Sequence, residues 1–253
     1  MKVTFLGTGT SQGIPVITCN CQVCTSSDFK DNRLRTSIMV ETDDKRFVID
    51  SGPDFRYQML RAGVKDLDAI VFTHEHKDHI AGLDDIRPFN YMLNKDIDVY
   101  ADDRVQAALK REFSYIFSDL PYFGLPKIVL HDITEEPFHI GNTEIIPIDV
   151  MHYKLPIHGF RIKDFTYITD AKTISEASIE KIKGTKILVI NALQRANHIS
   201  HFNLKEALEF AELIQADMTY LTHISHNLGV HEEVERQLPA RVKLAYDSLV
   251  LDV

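Results

Sequence analysis

Residues 73–83 read THEHKDHIAGL and offer His74, His76, Asp78 and His79 within six positions. Imidazole nitrogens combined with a carboxylate suit Zn²⁺, Mn²⁺ or Fe²⁺. An apolar run, AIVFTH, leads into the cluster, so these side chains sit where a strand ends and can converge on one point. A second cluster, TCNCQVC at residues 18–24, holds Cys19, Cys21 and Cys24, the only three cysteines of the chain. A disulfide would pair two and strand one. Cys21 and Cys24 have redox-motif spacing, but that use belongs at the start of a helix in a thioredoxin-type unit. A closed zinc site takes four ligands, so the cysteines need a fourth from elsewhere. Gly7, Gly9 and Gly13 miss the dinucleotide fingerprint by one residue, Pro15 opposes a helix there, and no Lys-Ser/Thr follows as in a P-loop. They read as a tight turn.

The elements that must position these groups follow from pattern. KVTFL, TSIMVET and RFVIDSG read as strands, with a turn at residues 43–45. FRYQMLRAGV has helical spacing and stops at Gly63. DIDVYAD is a strand and DRVQAALKREF a helix; KIVLH, TEIIPIDV, HGFRI and FTYITD continue as strands. SEASIEKIK and NLKEALEFAELI are helices between the strands KILVINA and MTYLTH, and SLVLDV closes the chain. A β-rich half followed by a βα-alternating half predicts an α/β (α+β) fold with two packed sheets covered by helices. No linker or repeat interrupts residues 1–253, so a single domain is expected.

The chain is 44% apolar and 26% charged with a net charge of −9, and it has no basic stripe of the kind that tracks a phosphate backbone. A nucleic-acid partner is therefore not expected. A small anionic substrate fits, because a metal supplies local positive charge. No run approaches the roughly 18 apolar residues of a membrane span, and MKVTFLGTGT turns glycine-rich too early for a signal peptide. A cytoplasmic setting, where clustered thiols more often hold metal than disulfides, is the expectation.

The pattern H-x-H-x-D-H followed by IAGL resembles the signature of the metallo-β-lactamase superfamily. The resemblance implies an αββα sandwich with a metal site at one edge between the sheets. It also implies where further ligands lie: His152 after EIIPIDVM, Asp170 in FTYITDA and His223 in MTYLTH. In that scheme His74, His76 and His152 hold one metal, Asp78, His79 and His223 hold the other, and Asp170 bridges them. A single-metal site is the alternative. Asp50 in FVIDSG matches an early aspartate that braces the metal loops.

A closer resemblance is to PhnP-type phosphodiesterases, carried by GTGTSQGIPVITCNCQVC and LTHISH and spanning nearly the whole chain. It implies that Cys19, Cys21, Cys24 and His226 form a Cys₃His structural zinc site. It also implies hydrolysis of a small cyclic phosphodiester, such as a ribosyl 1,2-cyclic phosphate, by a hydroxide held between two Mn²⁺ or Zn²⁺ ions. The resemblance makes His201 the candidate general acid, with a purely structural helix-entry histidine as the alternative, and Asp78 joins it at the reacting centre as a ligand. His198 competes with His201 for the acid role. The loop HYKLPIHGF is one residue longer than the family pattern, so Lys154 or His158 can reach substrate. Arg33 and Arg35 are phosphate binders or, preferably, salt-bridge partners. A homodimer is compatible with all of this. Other readings are a tRNA 3′-processing nuclease, which would carry a basic arm, a thioesterase or lactamase, and a non-catalytic metal binder, which would have lost a ligand.

Overall fold

The computed structural model describes residues 1–118 and 124–253. Strands β1 (Lys2–Gly7), β2 (Ser37–Glu41), β3 (Arg46–Ile49), β4 (Ala69–Val71), β5 (Ile97–Ala101) and β6 (Ile128–Asp132) lie side by side in that order. The second sheet is built from β7 (Phe138–Ile140), β8 (Thr143–His152), β9 (Leu155–Ile162), β10 (Phe165–Tyr167), β11 (Thr173–Ile174), β12 (Ile187–Asn191), β13 (Met218–Thr222) and β14 (Val242–Leu244). Its order is β11-β8-β9-β10-β12-β13-β14, with β7 paired to β8. The last strand, β15 (Val250–Asp252), returns to the first sheet beside β1.

Each sheet begins antiparallel and continues parallel, from β3 to β6 in one and from β10 through β12 and β13 to β14 in the other. Parallel neighbours require crossovers, and the helices supply them: α1 (Phe55–Arg61), α2 (Lys77–Ile80), α3 (Arg87–Leu93), α4 (Asp103–Glu112), α5 (Glu176–Ile182), α6 (Leu204–Ile214) and α7 (His231–Glu235). Alternation explains the layering. Val3, Phe5, Ile38, Val40, Phe47 and Ile49 face the second sheet and meet Phe160, Tyr167 and Val189. The residues between them, such as Met39, Val48 and Ile70, point outward under Phe55, Phe89 and Leu109 of α1, α3 and α4. Leu188 and Ile190 likewise pack under Ala207, Phe210 and Ile214 of α6. Four layers, αββα, result from strands buried on both faces.

Helix α6 opens with a capping box in which Asn203 accepts from the Glu206 amide and Glu206 accepts from the Asn203 amide, each at 2.9 Å. Glu206 also takes Lys172 Nζ at 2.7 Å. This ties the start of α6, just past His201, to the segment just past Asp170. Helices α2, α3 and α7 are not anticipated by the sequence reading. Helix α2 begins inside the H-x-H-x-D-H motif, so Asp78 and His79 stand on a helical turn rather than on a plain loop. No helix among the described residues is long and apolar enough to cross a membrane.

His158 clamps the two sheets. Its Nδ1 lies 3.0 Å from Asp149 on β8, and its Nε2 lies 3.5 Å from Asp102 at the end of β5. Its amide donates to the carbonyl of Thr73 at 3.0 Å. Burial opposes a charged ring, but Asp102 and Asp149 override it and raise the imidazole to about 9. His158 is thus engaged between two acids, one from each sheet region. The folded chain keeps a proton that the unfolded chain releases near its ordinary pKa of ~6.5. The clamp is therefore fully present below ~6.5 and is lost as pH rises through about 9. Thermal melts across that window should show wild-type stability falling with pH and a flatter profile for His158→Gln; identical slopes would remove His158 as the cause.

Candidate metal centre

The site assembles at strand ends, where the crevice of an open α/β sheet lies. Asp50 follows β3, the His74–His79 segment follows β4, His152 ends β8, Asp170 follows β10 and His223 follows β13. Three of these residues, Asp50, Asp170 and His223, are left-handed, with φ of 66°, 59° and 54°. Non-glycine residues take that region at a cost and cluster at functional sites. The turn swings each side chain off its strand into the common pocket.

Asp50 is fully buried and accepts from the Thr73 amide and hydroxyl, both at 2.9 Å, and from His79 Nδ1 at 2.7 Å. The brace fixes the His79 tautomer and leaves Nε2 facing the centre. That nitrogen is buried without a hydrogen-bond partner, although Asp78 Oδ2 lies at 3.2 Å and Asp170 Oδ2 at 3.4 Å. Burial alone would push the His79 ring down, yet Asp78, Asp170 and Asp50 together hold it well above its ordinary value. A cation is what this arrangement wants, and a divalent metal fits the donor set.

The other imidazoles are prepared in the same way. Thr73 Oγ1 meets His74 Nδ1 at 3.0 Å, leaving His74 Nε2 3.1 Å from His76 Nδ1. Two imidazole lone pairs on one tetrahedral metal stand about 3.3 Å apart. His152 Nδ1 donates to the carbonyls of Asp170 and Ser200 at 2.8 and 2.9 Å, which frees its Nε2. Burial keeps His74 and His152 below their ordinary values and lowers His223 to about 4, the neutral state a ligand needs.

Asp170 is the hub. Its Oδ1 lies 3.1 Å from His201 Nε2 and 3.2 Å from His223 Nε2, while Oδ2 accepts from Thr169 Oγ1 at 2.6 Å. Burial would raise its pKa, but the imidazoles of His223 and His79 and the His201 hydrogen bond hold it well below the usual carboxylate range. Three sets of potential ligand atoms share Asp170: His74 with His79, His152 with His201, and Asp78 with His223. The structure thus brings together all seven residues that the sequence nominated, with His76 joining through His74. It also places His201 among the potential ligands, a position that its expected role as an acid did not include. His201 Nδ1 contacts His198 Nδ1 at 3.1 Å, so His201 faces the hub and His198 stands behind it.

Supporting residues escaped the sequence reading. Thr10 Oγ1 sits 3.2 Å from His223 Nε2, and the Asn191 side chain accepts from the Ala171 amide at 2.8 Å. A readable signal existed in the threonine that directly precedes His74, Asp170 and His223. Gly52 is a close-approach glycine, since a Cβ there would stand 2.0 Å from the Asp78 carbonyl oxygen. Arg33 is corrected. It is buried, donates to Thr8 Oγ1 at 2.8 Å and the Ala245 carbonyl at 2.6 Å, and contacts His231 Nδ1 at 3.0 Å. Among the described residues it forms no salt bridge, whereas Arg35 pairs with Asp54 at 3.0 Å. Lys154 is exposed in the two-residue turn directly after His152.

A second cluster lies across the 223–226 turn. Sγ of Cys19, Cys21 and Cys24 stand 3.2, 3.4 and 3.5 Å from His226 Nδ1. Zn–S and Zn–N bonds of about 2.3 and 2.0 Å at a tetrahedral centre separate S and N by about 3.5 Å, so the four donors fit one zinc. The Cys24 amide, with help from His226, lowers Cys21 to about 6 against the effect of burial, while burial raises Cys24 to about 11, so Cys21 is the thiol favoured as thiolate.

The family model described as "Beta-lactamase superfamily domain" matches residues 45–224. A solved structure described as "a New Diphosphatase from the PhnP Family" is 42% identical, covers 100% of this chain and 97% of its own, and superposes with a TM-score of 0.93. This chain belongs to the PhnP family of the metallo-β-lactamase superfamily. The fold and family make the PhnP-family chain a metal-dependent hydrolase. A Porphyromonas gingivalis protein named "Octanoyltransferase" is 38% identical over 98% of this chain, which spans only 51% of that relative's length. A Pyrobaculum neutrophilum "Ribonuclease Z" is 25% identical over 78% of this chain and 82% of its own. The short form of human tRNase Z shares the fold at a TM-score of 0.71 and 20% identity.

Elemental analysis of Cys21→Ser is expected to show a loss of about one zinc per chain together with a lower Tm, because structural metal binding is linked to folding. Unchanged zinc content would exclude the Cys₃His site.

Proposed function

We propose that this PhnP-family member is a phosphodiesterase that hydrolyses a small phosphodiester, with a ribosyl 1,2-cyclic phosphate as the leading candidate. The observation that carries the reading is Asp170, which shares one set of potential ligand atoms with His74 and His79, a second with His152 and His201 and a third with Asp78 and His223. A carboxylate with neighbours from both proposed ligand sets would serve as their shared ligand. His74, His76 and His152 would hold one divalent ion, Mn²⁺ or Zn²⁺, and Asp78, His79 and His223 the other. The cysteine cluster with His226 would hold a structural zinc. When bound, the pair of ions supplies Lewis acidity that activates water and neutralises phosphoryl charge.

The chain's own residues do the rest. Asp50 and Thr73 orient His79 and His74, Thr169 orients Asp170, and His152 is held by two carbonyls. His201 Nε2 faces the hub and gives a proton to the departing oxygen, a contribution typically worth ~10²–10⁴-fold. The net charge of −9 disfavours a polynucleotide substrate and favours a small one drawn in by the metals. A phosphoanhydride is the second reading, favoured by the name of the 42%-identical relative, a diphosphatase. The octanoyltransferase name belongs to a protein about twice as long and transfers no activity here. A screen of the metal-loaded protein against ribosyl cyclic phosphates, cyclic nucleotides, linear diesters and nucleoside diphosphates separates the two readings; turnover of none would defeat both.

Asp170→Ala should abolish diester hydrolysis and lower bound metal while the chain remains folded by circular dichroism; a near wild-type rate would refute the bridging role. His201→Ala should keep its active-site metals and lose most rate on diesters with a poor leaving group such as a ribose hydroxyl, and little on p-nitrophenyl esters. Equal losses on both would point to positioning, and a selective loss in His198→Ala alone would move the acid role to that residue.

A further inference from the structure

The two clusters meet at one turn. His223 Nε2 lies 3.2 Å from Asp170 Oδ1, and three residues on, His226 Nδ1 faces the three cysteine sulfurs at 3.2–3.5 Å. Ile224, between them, forms a parallel bridge with Gly9. Its amide donates to the Thr8 carbonyl at 2.9 Å, and its carbonyl accepts from the Thr10 amide at 3.0 Å. Thr10 then touches His223 directly, Oγ1 to Nε2 at 3.2 Å. The N-terminal segment therefore grips the 223–226 turn twice, by hydrogen bonds at residues 8–10 and through the sulfurs at residues 19–24. Inside the loop so formed, the Gly13 amide donates to the Thr10 carbonyl at 2.8 Å and the Val16 amide to Cys24 Sγ at 3.3 Å.

His223 needs such a grip. It is buried and left-handed at φ 54°, a conformation that a histidine keeps only when its surroundings over-determine it. A cross-link between residues 24 and 226 pins the far end of the turn. Without it, the turn is held by the Gly9–Ile224 bridge, by Thr10, by Thr169 Oγ1 at 3.4 Å from His223 Nδ1 and by the Leu193 carbonyl, which accepts from the Ser225 amide at 2.9 Å; the end at His226 loses its anchor. The energy spent re-ordering His223 on metal uptake would then be subtracted from the affinity of the Asp78–Asp170–His223 side.

We propose that the Cys19–Cys21–Cys24–His226 site is a positioning device for His223, so that metal held by the cysteines raises the affinity of the Asp170-centred site for its own cation. This inference rests on the reading of both clusters as metal sites. The four residues act through His223 and do not touch substrate. Linkage makes the coupling reciprocal: occupancy of the Asp170 site must tighten the cysteine site by the same factor.

All three cysteines lie in this one loop, so a thiol-directed organomercurial attacks nowhere else. The zinc-loaded full-length chain is treated with p-hydroxymercuribenzoate under native conditions, and released zinc is counted with a chromogenic chelator. A graded series of competing chelators then measures how tightly the remaining metal is held. The expected result is release of about one zinc, an unchanged circular dichroism spectrum, and a dissociation constant for the remaining metal raised about tenfold or more. The same rise is expected in Cys24→Ser. An unchanged constant in a folded chain that has lost the cysteine zinc overturns the coupling and leaves the two metal sites standing. No zinc released to the mercurial overturns the metal reading of the cysteine cluster, and the proposal with it. A reciprocal arm covers a treated chain that unfolds. In Asp78→Asn, with its cysteines intact, the cysteine-site zinc should be lost to a chelator at about tenfold lower concentration than in wild type; equal resistance overturns the proposal.

Discussion

Buried negative charge is the constraint around which this chain is arranged. Asp50 and Asp170 are buried and Asp78 stands beside them at the mouth of the pocket. Taking a carboxylate out of water costs several kcal/mol unless it is paired and hydrogen-bonded. The chain answers with imidazoles on every open side of Asp170, with threonine hydroxyls, and with backbone amides. The answer is incomplete in one place: His79 Nε2 has two carboxylate oxygens nearby and no hydrogen-bond geometry to either. A divalent cation would complete it, and Asp50, Thr73 and Thr169 decide which nitrogen or oxygen each donor presents.

That charge demand dictates the architecture. A single sheet could not deliver these groups from opposite directions, but two sheets packed face to face can, at one shared end. The first supplies Asp50 and the His74–His79 segment, and the second supplies His152, Asp170 and His223. The parallel portion of each sheet aligns its carboxyl ends, and the left-handed residues at Asp50, Asp170 and His223 convert strand direction into convergence. Gly52 and Gly82 let the loops carrying these residues pack backbone to backbone, since a Cβ at Gly82 would lie 2.1 Å from the Gly52 carbonyl oxygen.

The periphery serves the same end. His158 holds Asp102 and Asp149 together across the sheets beside the strand that delivers His74. The capping box at Asn203 and the Lys172–Glu206 pair keep the segments after His201 and Asp170 in register. The glycine-rich start is drawn into the centre through Thr10, which explains why a segment so early in sequence resembles the family as specifically as the metal motif does.

By itself the sequence determined the types and order of the donor groups. Apolar runs ending in His74, Asp170 and His223 are local patterns, and local pattern suffices to place a side chain at the end of a strand. Two packed sheets covered by helices and the clustering of three cysteines were legible for the same reason, whereas the αββα sandwich and the choice of His152, Asp170 and His223 came from the family resemblance. Tertiary structure alone decided who faces whom. Arg33 contacts His231 from 198 positions away, and no local signal distinguishes that buried hydrogen-bonding role from phosphate binding or a salt bridge. His158 is held by two acids from different elements, which no local pattern pairs. His201 and His198 differ only in that the turn before α6 aims one at Asp170. Helix α2 starts within the ligand motif because the loop must pack against Gly52, a partner that short-range periodicity cannot see. Spacing specifies which atoms can donate; only the packing of the two sheets fixes the direction in which each one points.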